Sequence, residues 1–203
     1  MYLCELNTGN NPMFSSQKNN MLYEILNDSR TVYTLPDIAM LVEESNFESI
    51  NDKINYYVKT NRLNRPRKGI YVKSNYNPLE LACSLYTPSY ISLEYVLQQA
   101  GIIFQYDSTI TAVSYLSRKL NIDNNEYSYR KIKNEIIVDT TGIEQINNIN
   151  IATPERAFLD TLYLNSNYYF DNLRLINREF VAKLLPIYRS KALEARVKKQ
   201  FKL

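Results

Sequence analysis

The chain has 203 residues, of which 45% are hydrophobic and 22% charged, and its formal net charge is only +3. This composition is that of an ordinary globular protein with one larger domain or two small ones, and no stretch approaches the roughly 20 apolar residues that span a bilayer. The N-terminus has no basic segment leading into an apolar run, and two cysteines cannot make a disulfide framework, so we expect a cytoplasmic protein.

Histidine is absent from the chain, and its absence removes several kinds of chemistry. Without an imidazole there is no Ser-His-Asp or Cys-His pair and no imidazole metal ligand. Cys4 and Cys83 alone make a poor zinc site, and the four glycines cannot form a Gly-rich phosphate loop. We therefore predict no metal, no cofactor and no enzymatic activity.

Three helices are predicted in the first part of the chain, after an aperiodic arm at residues 1–16. Apolar residues at helical spacing indicate a helix over residues 17–28. Thr34 and Asp37, with Pro36 between them, form a capping box that begins a second helix. A third helix over about 48–60 is expected to bury Phe47, Ile50, Ile54, Tyr57 and Val58, and to expose Asn51, Asp52, Lys53, Asn55, Tyr56 and Lys59.

A run of seven cations without an acid overlaps this third helix and continues beyond it. The run consists of Lys53, Lys59, Arg62, Arg65, Arg67, Lys68 and Lys73. Gly69 supplies a turn, and the strand formers that follow it predict a basic hairpin. Three helices and a hairpin predict a winged helix-turn-helix over residues 17–75.

In a winged helix-turn-helix, the third helix enters the major groove and the hairpin lies along the phosphate backbone. We therefore predict operator DNA as a partner, with Asn51, Lys53, Asn55, Tyr56 and Lys59 on the recognition helix and Arg62, Arg65, Arg67, Lys68 and Lys73 in the wing. About five phosphate contacts would give a slope of roughly −4.5 for log affinity against log salt. Four acids just ahead of the cations are expected to face away from the duplex: Glu43, Glu44, Glu48 and Asp52.

Residues 76–203 are predicted to form a mixed α/β module, which makes the whole chain an α/β (α+β) protein. Helices begin at Asn77 and at Ser92, the second ending at Gly101. Strands are predicted at 109–116, 127–132 and 135–139, with shorter ones near 143 and at 149–152. Thr153 begins a strong helix, and helices over 171–185 and 187–201 close the chain, the last of them basic.

Three segments resemble the AbiEi-type antitoxins. They are Arg67-Lys-Gly-Ile-Tyr-Val72, Tyr86-Thr-Pro-Ser-Tyr-Ile-Ser-Leu-Glu94 with the following Gly101-Ile, and Ile151-Ala-Thr-Pro-Glu-Arg-Ala-Phe-Leu-Asp-Thr-Leu-Tyr163. The resemblance covers most of residues 20–165. It implies a winged-helix repressor of its own operon in a type IV toxin–antitoxin system, a class linked to phage defence, with a nucleotidyltransferase-like toxin encoded next door.

Other interpretations of the same residues stay open. Winged helices also serve as protein-docking modules. The competing hypothesis is a protein-interaction module that neutralises a toxin or other partner through the C-terminal domain, without specific DNA binding. A nuclease would need Asp123, Glu126, Glu135 and Asp139 gathered with Lys131 or Lys133. In the third of those segments, Asp160 can simply cap or pair with Arg156 one turn away. Two copies on an inverted repeat would make a homodimer on DNA.

Overall fold

The computed structural model describes residues 21–202, and its first part combines three helices with a small sheet. The elements in chain order are α1 (Met21–Asn27), β1 (Val32–Thr34), α2 (Leu35–Leu41), α3 (Phe47–Lys59), β2 (Asn64–Arg67) and β3 (Ile70–Val72). The three strands pair antiparallel in the order β1-β3-β2. The predicted arm at residues 1–16 and the start of the first predicted helix lie outside the described residues.

Local sequence signals begin the helices of this part. The Thr34 hydroxyl accepts a hydrogen bond from the Asp37 amide, and the Asp37 carboxylate accepts one from the Thr34 amide at 2.7 Å, so the predicted capping box is confirmed. Ile50 and Ile54 are fully buried beneath α3, as predicted. Phe47 is 49% exposed, so its predicted burial is wrong. It stands at the first position of α3, where few neighbours cover it.

The second part is built on a six-stranded mixed sheet. Its elements are α4 (Pro78–Leu85), β4 (Ser89–Ile91), α5 (Glu94–Gln99), β5 (Ile110–Ser114), β6 (Arg118–Ile122), β7 (Asn125–Lys131), α6 (Asn134–Ile137), β8 (Ile143–Ile146), β9 (Ile149–Ala152), α7 (Pro154–Leu164), α8 (Arg178–Leu184) and α9 (Lys191–Phe201). The strand order is β6-β7-β5-β4-β9-β8, with β5/β7 and β4/β9 parallel. The chain is therefore a mixed α+β protein, as predicted.

Several elements of the second part differ from the sequence prediction. Residues 135–139 were expected to form a strand, but Ile136 and Ile137 are buried on the short helix α6. A short apolar run is compatible with a buried helix or a buried strand, and periodicity alone does not distinguish the two. The predicted helix over 171–185 is shorter, because a 3-10 turn at Leu173–Leu175 precedes α8. Strands β1, β4 and β6 were not predicted.

Two apolar cores meet across the small sheet. Tyr33 and Tyr71 face α1, α2 and α3, whereas Val32, Ile70 and Val72 face the larger core of the second part. Buried Glu80 on α4 accepts hydrogen bonds from the amides of Thr31 and Val32, at 3.0 Å for Thr31 and 3.3 Å for Val32. The small sheet is therefore packed on both faces. Within residues 21–202, no helix has the length and apolarity needed to cross a membrane.

Candidate functional site

Helix α3 presents a polar face to solvent because Ile50 and Ile54 are buried on its opposite side. The Asn46 side chain caps it by accepting hydrogen bonds from the amides of Glu48 and Ser49, both at 3.1 Å. At about 100° per residue, Asn51, Asn55 and Lys59 form one stripe along the helix and Tyr56 lies beside it. Lys53 lies about 200° around the axis from Asn55, so it occupies the opposite flank.

The segment after α3 returns over this polar face. The Arg65 guanidinium lies 3.5 Å from the Asn55 side-chain oxygen, and the Arg62 guanidinium lies 5.9 Å from the centre of the Tyr56 ring. We call Asn55, Tyr56, Lys59, Arg62 and Arg65 the basic face. All three of its cations are exposed, and within residues 21–202 none of them forms a salt bridge. Lys68 is exposed in the turn that ends at Gly69, three residues along the chain from Arg65, and within residues 21–202 it too forms no salt bridge.

Arg67 points away from the basic face. A bulge in β2 shifts the register, so that Arg67 pairs with Ile70, whose side chain faces the larger core. Paired residues of an antiparallel ladder project from the same side of the sheet. The Arg67 guanidinium accordingly lies 4.9 Å from the centre of the Tyr86 ring. Arg65 and Arg67 of β2 therefore project from opposite faces of the small sheet, which the sequence pattern did not predict.

Lys73 does not belong to the exposed wing, and the prediction that it does is wrong. The residue is only 7% exposed, and its ammonium donates to the carbonyl oxygens of Leu26, at 3.2 Å, and Asp28. Burial lowers the pKa of this ammonium. Lys73 is buried because β3, which it follows, pairs with β1, a three-residue strand that was not predicted. This pairing places the Lys73 side chain against the end of α1. Lys73 therefore contributes to folding and is inaccessible to phosphate.

The acids at the start of α3 share the polar face, although they were expected to point elsewhere. Glu48 and Asp52 are exposed and lie within about 20° and 60° of Asn55 around the helix axis. Glu48 is favourably placed in the first turn of the helix, where the macrodipole stabilises anions. The charge of the polar face is consequently divided along α3, acidic in its first half and cationic from Lys59 onward.

A second constellation lies buried where β4 meets α7. The Asp160 carboxylate accepts hydrogen bonds from the hydroxyls of Tyr90, at 3.0 Å, Ser92, at 2.8 Å, and Tyr188, at 2.6 Å. Arg156 Nε lies 3.7 Å from the same carboxylate. We call these five residues the buried ionic cluster, and none is more than 2% exposed.

Burial and hydrogen bonding act in opposite directions on the carboxyl group of the buried ionic cluster. Burial raises the pKa of the Asp160 carboxyl, whereas Arg156 and the three hydroxyls favour its charged form. The Arg156 guanidinium also donates to the carbonyl oxygens of Thr141, at 3.0 Å, and Ile136, at 2.7 Å. Asp160 thus pairs with Arg156 one turn away on α7, as the sequence allowed, and both side chains are fully buried. Ser92 was expected to cap α5, but Leu93 holds that position without a side-chain bond.

The residues named for a nuclease do not come together. Asp123 accepts a hydrogen bond from Tyr76 at 2.8 Å, and Glu126 pairs with Lys119 at 3.8 Å, both near the start of β7. Glu135 and Asp139 lie beyond the end of that strand. Among the residues the structure describes, no three Asp, Glu or Cys side chains form a group able to hold a metal ion.

Comparison with known proteins gives structural similarity but no family. No family model matches the chain, and no curated protein sequence matches it. Among solved structures, the chain is similar to the crystal structure of the RV2827C protein from Mycobacterium tuberculosis, with a TM-score of 0.48 and 11% sequence identity. The match covers 88% of this chain and 73% of that one.

Proposed function

We propose that the chain is a DNA-binding regulator whose basic face binds operator DNA upstream of its own operon. The carrying observation is the return of Arg62 and Arg65 over α3, where Arg65 approaches Asn55 and, within residues 21–202, neither cation forms a salt bridge with a carboxylate. Free cations of this kind release counterions when they meet phosphates, and that release supplies much of the affinity for DNA.

The order of elements supports the proposal. A helix, a strand, two helices and a two-stranded hairpin follow one another, and β3 lies between β1 and β2 in the sheet. This is the order of a winged helix-turn-helix, in which the second of the paired helices, here α3, enters the major groove. Asn51 and Asn55 are then suited to adenine edges, while Lys59, Arg62, Arg65 and Lys68 bind phosphates.

The regulatory role follows from the resemblance to AbiEi-type antitoxins. On that basis the chain is a cytoplasmic antitoxin that represses its own operon and counteracts a nucleotidyltransferase-like toxin encoded beside it. Tyr90, Ser92, Arg156 and Asp160 lie in the segments that carry the resemblance, and they contact one another in the buried ionic cluster.

A gel-shift assay with a fragment of the chain's own promoter tests this proposal. Lys59→Glu with Arg65→Glu reverses two cations of the basic face and should abolish the shifted band. Lys183→Glu with Lys191→Glu makes the same change in charge at exposed positions on α8 and α9, and it should retain the band. If the parent chain shifts neither its promoter nor other duplexes at low salt, the chain is not a DNA-binding protein.

A protein-docking module is the second candidate, and the acids of α3 favour it. Glu48 and Asp52 on the polar face repel phosphate but suit a cationic protein surface. In this case the chain neutralises the toxin by direct contact. Glu48→Lys with Asp52→Lys should then remove toxin neutralisation in cells, whereas for a DNA-binding protein the same change should tighten binding to duplex DNA.

A further inference from the structure

A second cationic opening lies on the second part of the chain. It encloses about 670 Å³ and is lined by the end of β5, the segment from β7 into α6, and residues 187–189. None of its lining residues comes from the helices or sheet of the first part. Its volume falls within the roughly 300–1,000 Å³ typical of small-molecule sites. We call this opening the anion pocket.

The charge of the anion pocket is strongly one-sided. Lys131, Lys133 and Arg189 line it and are exposed, against the single carboxylate of Glu135. Within residues 21–202, none of the three cationic side chains forms a salt bridge. An arrangement of two ammonium groups and a guanidinium fork is suited to phosphate oxygens, which a guanidinium binds in bidentate fashion.

Arg189 ends the 3-10 turn at Leu185–Tyr188 in the left-handed conformation that commonly ends a helix. Its φ of 44° lies in the left-handed region, which glycine or asparagine adopts at lower cost than arginine. The residue before it, Tyr188, is anchored by its hydrogen bond to Asp160, and the pocket residue Ile136 accepts a hydrogen bond from Arg156. The floor of the anion pocket is thus held by the buried ionic cluster, while its rim carries the free cations.

An aromatic ring stands beside these cations. Tyr115 lines the anion pocket and remains 42% exposed. A tyrosine ring of this kind can stack on a nucleobase, an interaction worth about 1–3 kcal/mol per base. The cations of the anion pocket are suited to the phosphates of a nucleotide, and the Tyr115 ring is suited to its base.

We propose that the anion pocket binds a mononucleotide, with Lys131, Lys133 and Arg189 on the phosphates and Tyr115 on the base. This activity goes beyond DNA binding and does not depend on it, because the pocket and the basic face share no residue. The shared chemistry is a base and a phosphate group joined through a sugar, which a free nucleotide or a single strand of nucleic acid can supply.

Calorimetric titration of the full chain with ATP tests the proposal. Arg189→Gly removes the cation and relieves the left-handed backbone, so the variant should remain folded and should bind ATP at least tenfold more weakly. Lys202→Gly is a matched control, because Lys202 is an exposed lysine with a φ of 55°, and it should bind ATP as the parent does. A thermal melt of each variant verifies folding.

Two further titrations separate the ligand classes. Tyr115→Ala should weaken ATP at least fivefold while leaving the affinity for inorganic pyrophosphate within twofold, since only ATP carries a base. A ten-nucleotide single strand distinguishes a strand from a free nucleotide. The proposal is overturned if the parent chain binds no ATP at millimolar concentration, if Arg189→Gly retains full affinity, if Tyr115→Ala affects both ligands equally, or if only the single strand binds.

Discussion

For the proposed binding to DNA, the sequence run and the structure predict different salt dependences, because they offer different numbers of cations to phosphate. The basic run contains seven cations, but the structure leaves four on or beside the basic face: Lys59, Arg62, Arg65 and Lys68. Four phosphate contacts predict a slope of about −3.6 for log affinity against log salt. Between 50 and 200 mM salt, affinity should then fall by about 150-fold.

Single substitutions locate these contacts. Arg65→Gln keeps a polar side chain near Asn55 and removes one charge, so the slope should fall to about −2.7 and the loss of affinity over the same salt range to about 40-fold. Arg67→Gln and Lys73→Met each remove one charge as well, but they should leave the slope unchanged. Arg67 lies on the far side of the small sheet, and the Lys73 ammonium is buried on carbonyl oxygens.

Fluorescence anisotropy with a labelled promoter duplex, measured at several concentrations of potassium chloride, gives each slope directly. The assignment of the basic face fails if Arg67→Gln or Lys73→Met changes the slope as much as Arg65→Gln does. It also fails if the parent slope is as steep as about −6, because nearly all seven cations would then have to reach phosphate.

Three further predictions concern the interior. Asp160→Ala leaves Arg156 buried without its partner and should lower the free energy of unfolding by about 3–5 kcal/mol in urea titrations, and a loss below about 1 kcal/mol would contradict the ion pair. Glu80→Ala leaves the amides of Thr31 and Val32 without their acceptor and should lower the free energy of unfolding by roughly 1–3 kcal/mol for each unpaired donor. The hydrogen exchange of these two amides should become faster, whereas Glu194→Ala, at an exposed position, should leave it unchanged. Burial raises the pKa of the Cys83 thiol to about 11, so in a Cys4→Ser background iodoacetamide should alkylate the folded chain at pH 8 about a hundredfold more slowly than the unfolded chain. Equal alkylation rates would contradict the raised pKa of this half-buried thiol.

Local signals made the helix starts predictable. Thr34 with Asp37, Asn77 and Thr153 each cap a helix at the expected position, because a capping bond involves residues only two or three apart. The order of three helices and a hairpin was predictable for the same reason.

Features that depend on distant pairing were not predictable. The burial of Lys73 follows from the pairing of β1 with β3, and the direction of Arg67 follows from a bulge in β2. Tyr188 joins Asp160 from 28 residues away, and no spacing rule links them. The position of Glu48 and Asp52 on the polar face could have been predicted from the sequence, because helical periodicity alone places both near Asn55.

The two-sided packing of the small sheet has a consequence for dissecting the protein. A fragment ending at residue 75 would leave Val32, Ile70 and Val72 facing water, which favours aggregation over an independently soluble module. Heating the intact chain should then give one calorimetric transition, because the small sheet belongs to both apolar cores and neither core can unfold without exposing the other. The two parts of the chain would then unfold, and be degraded, as a single cooperative unit.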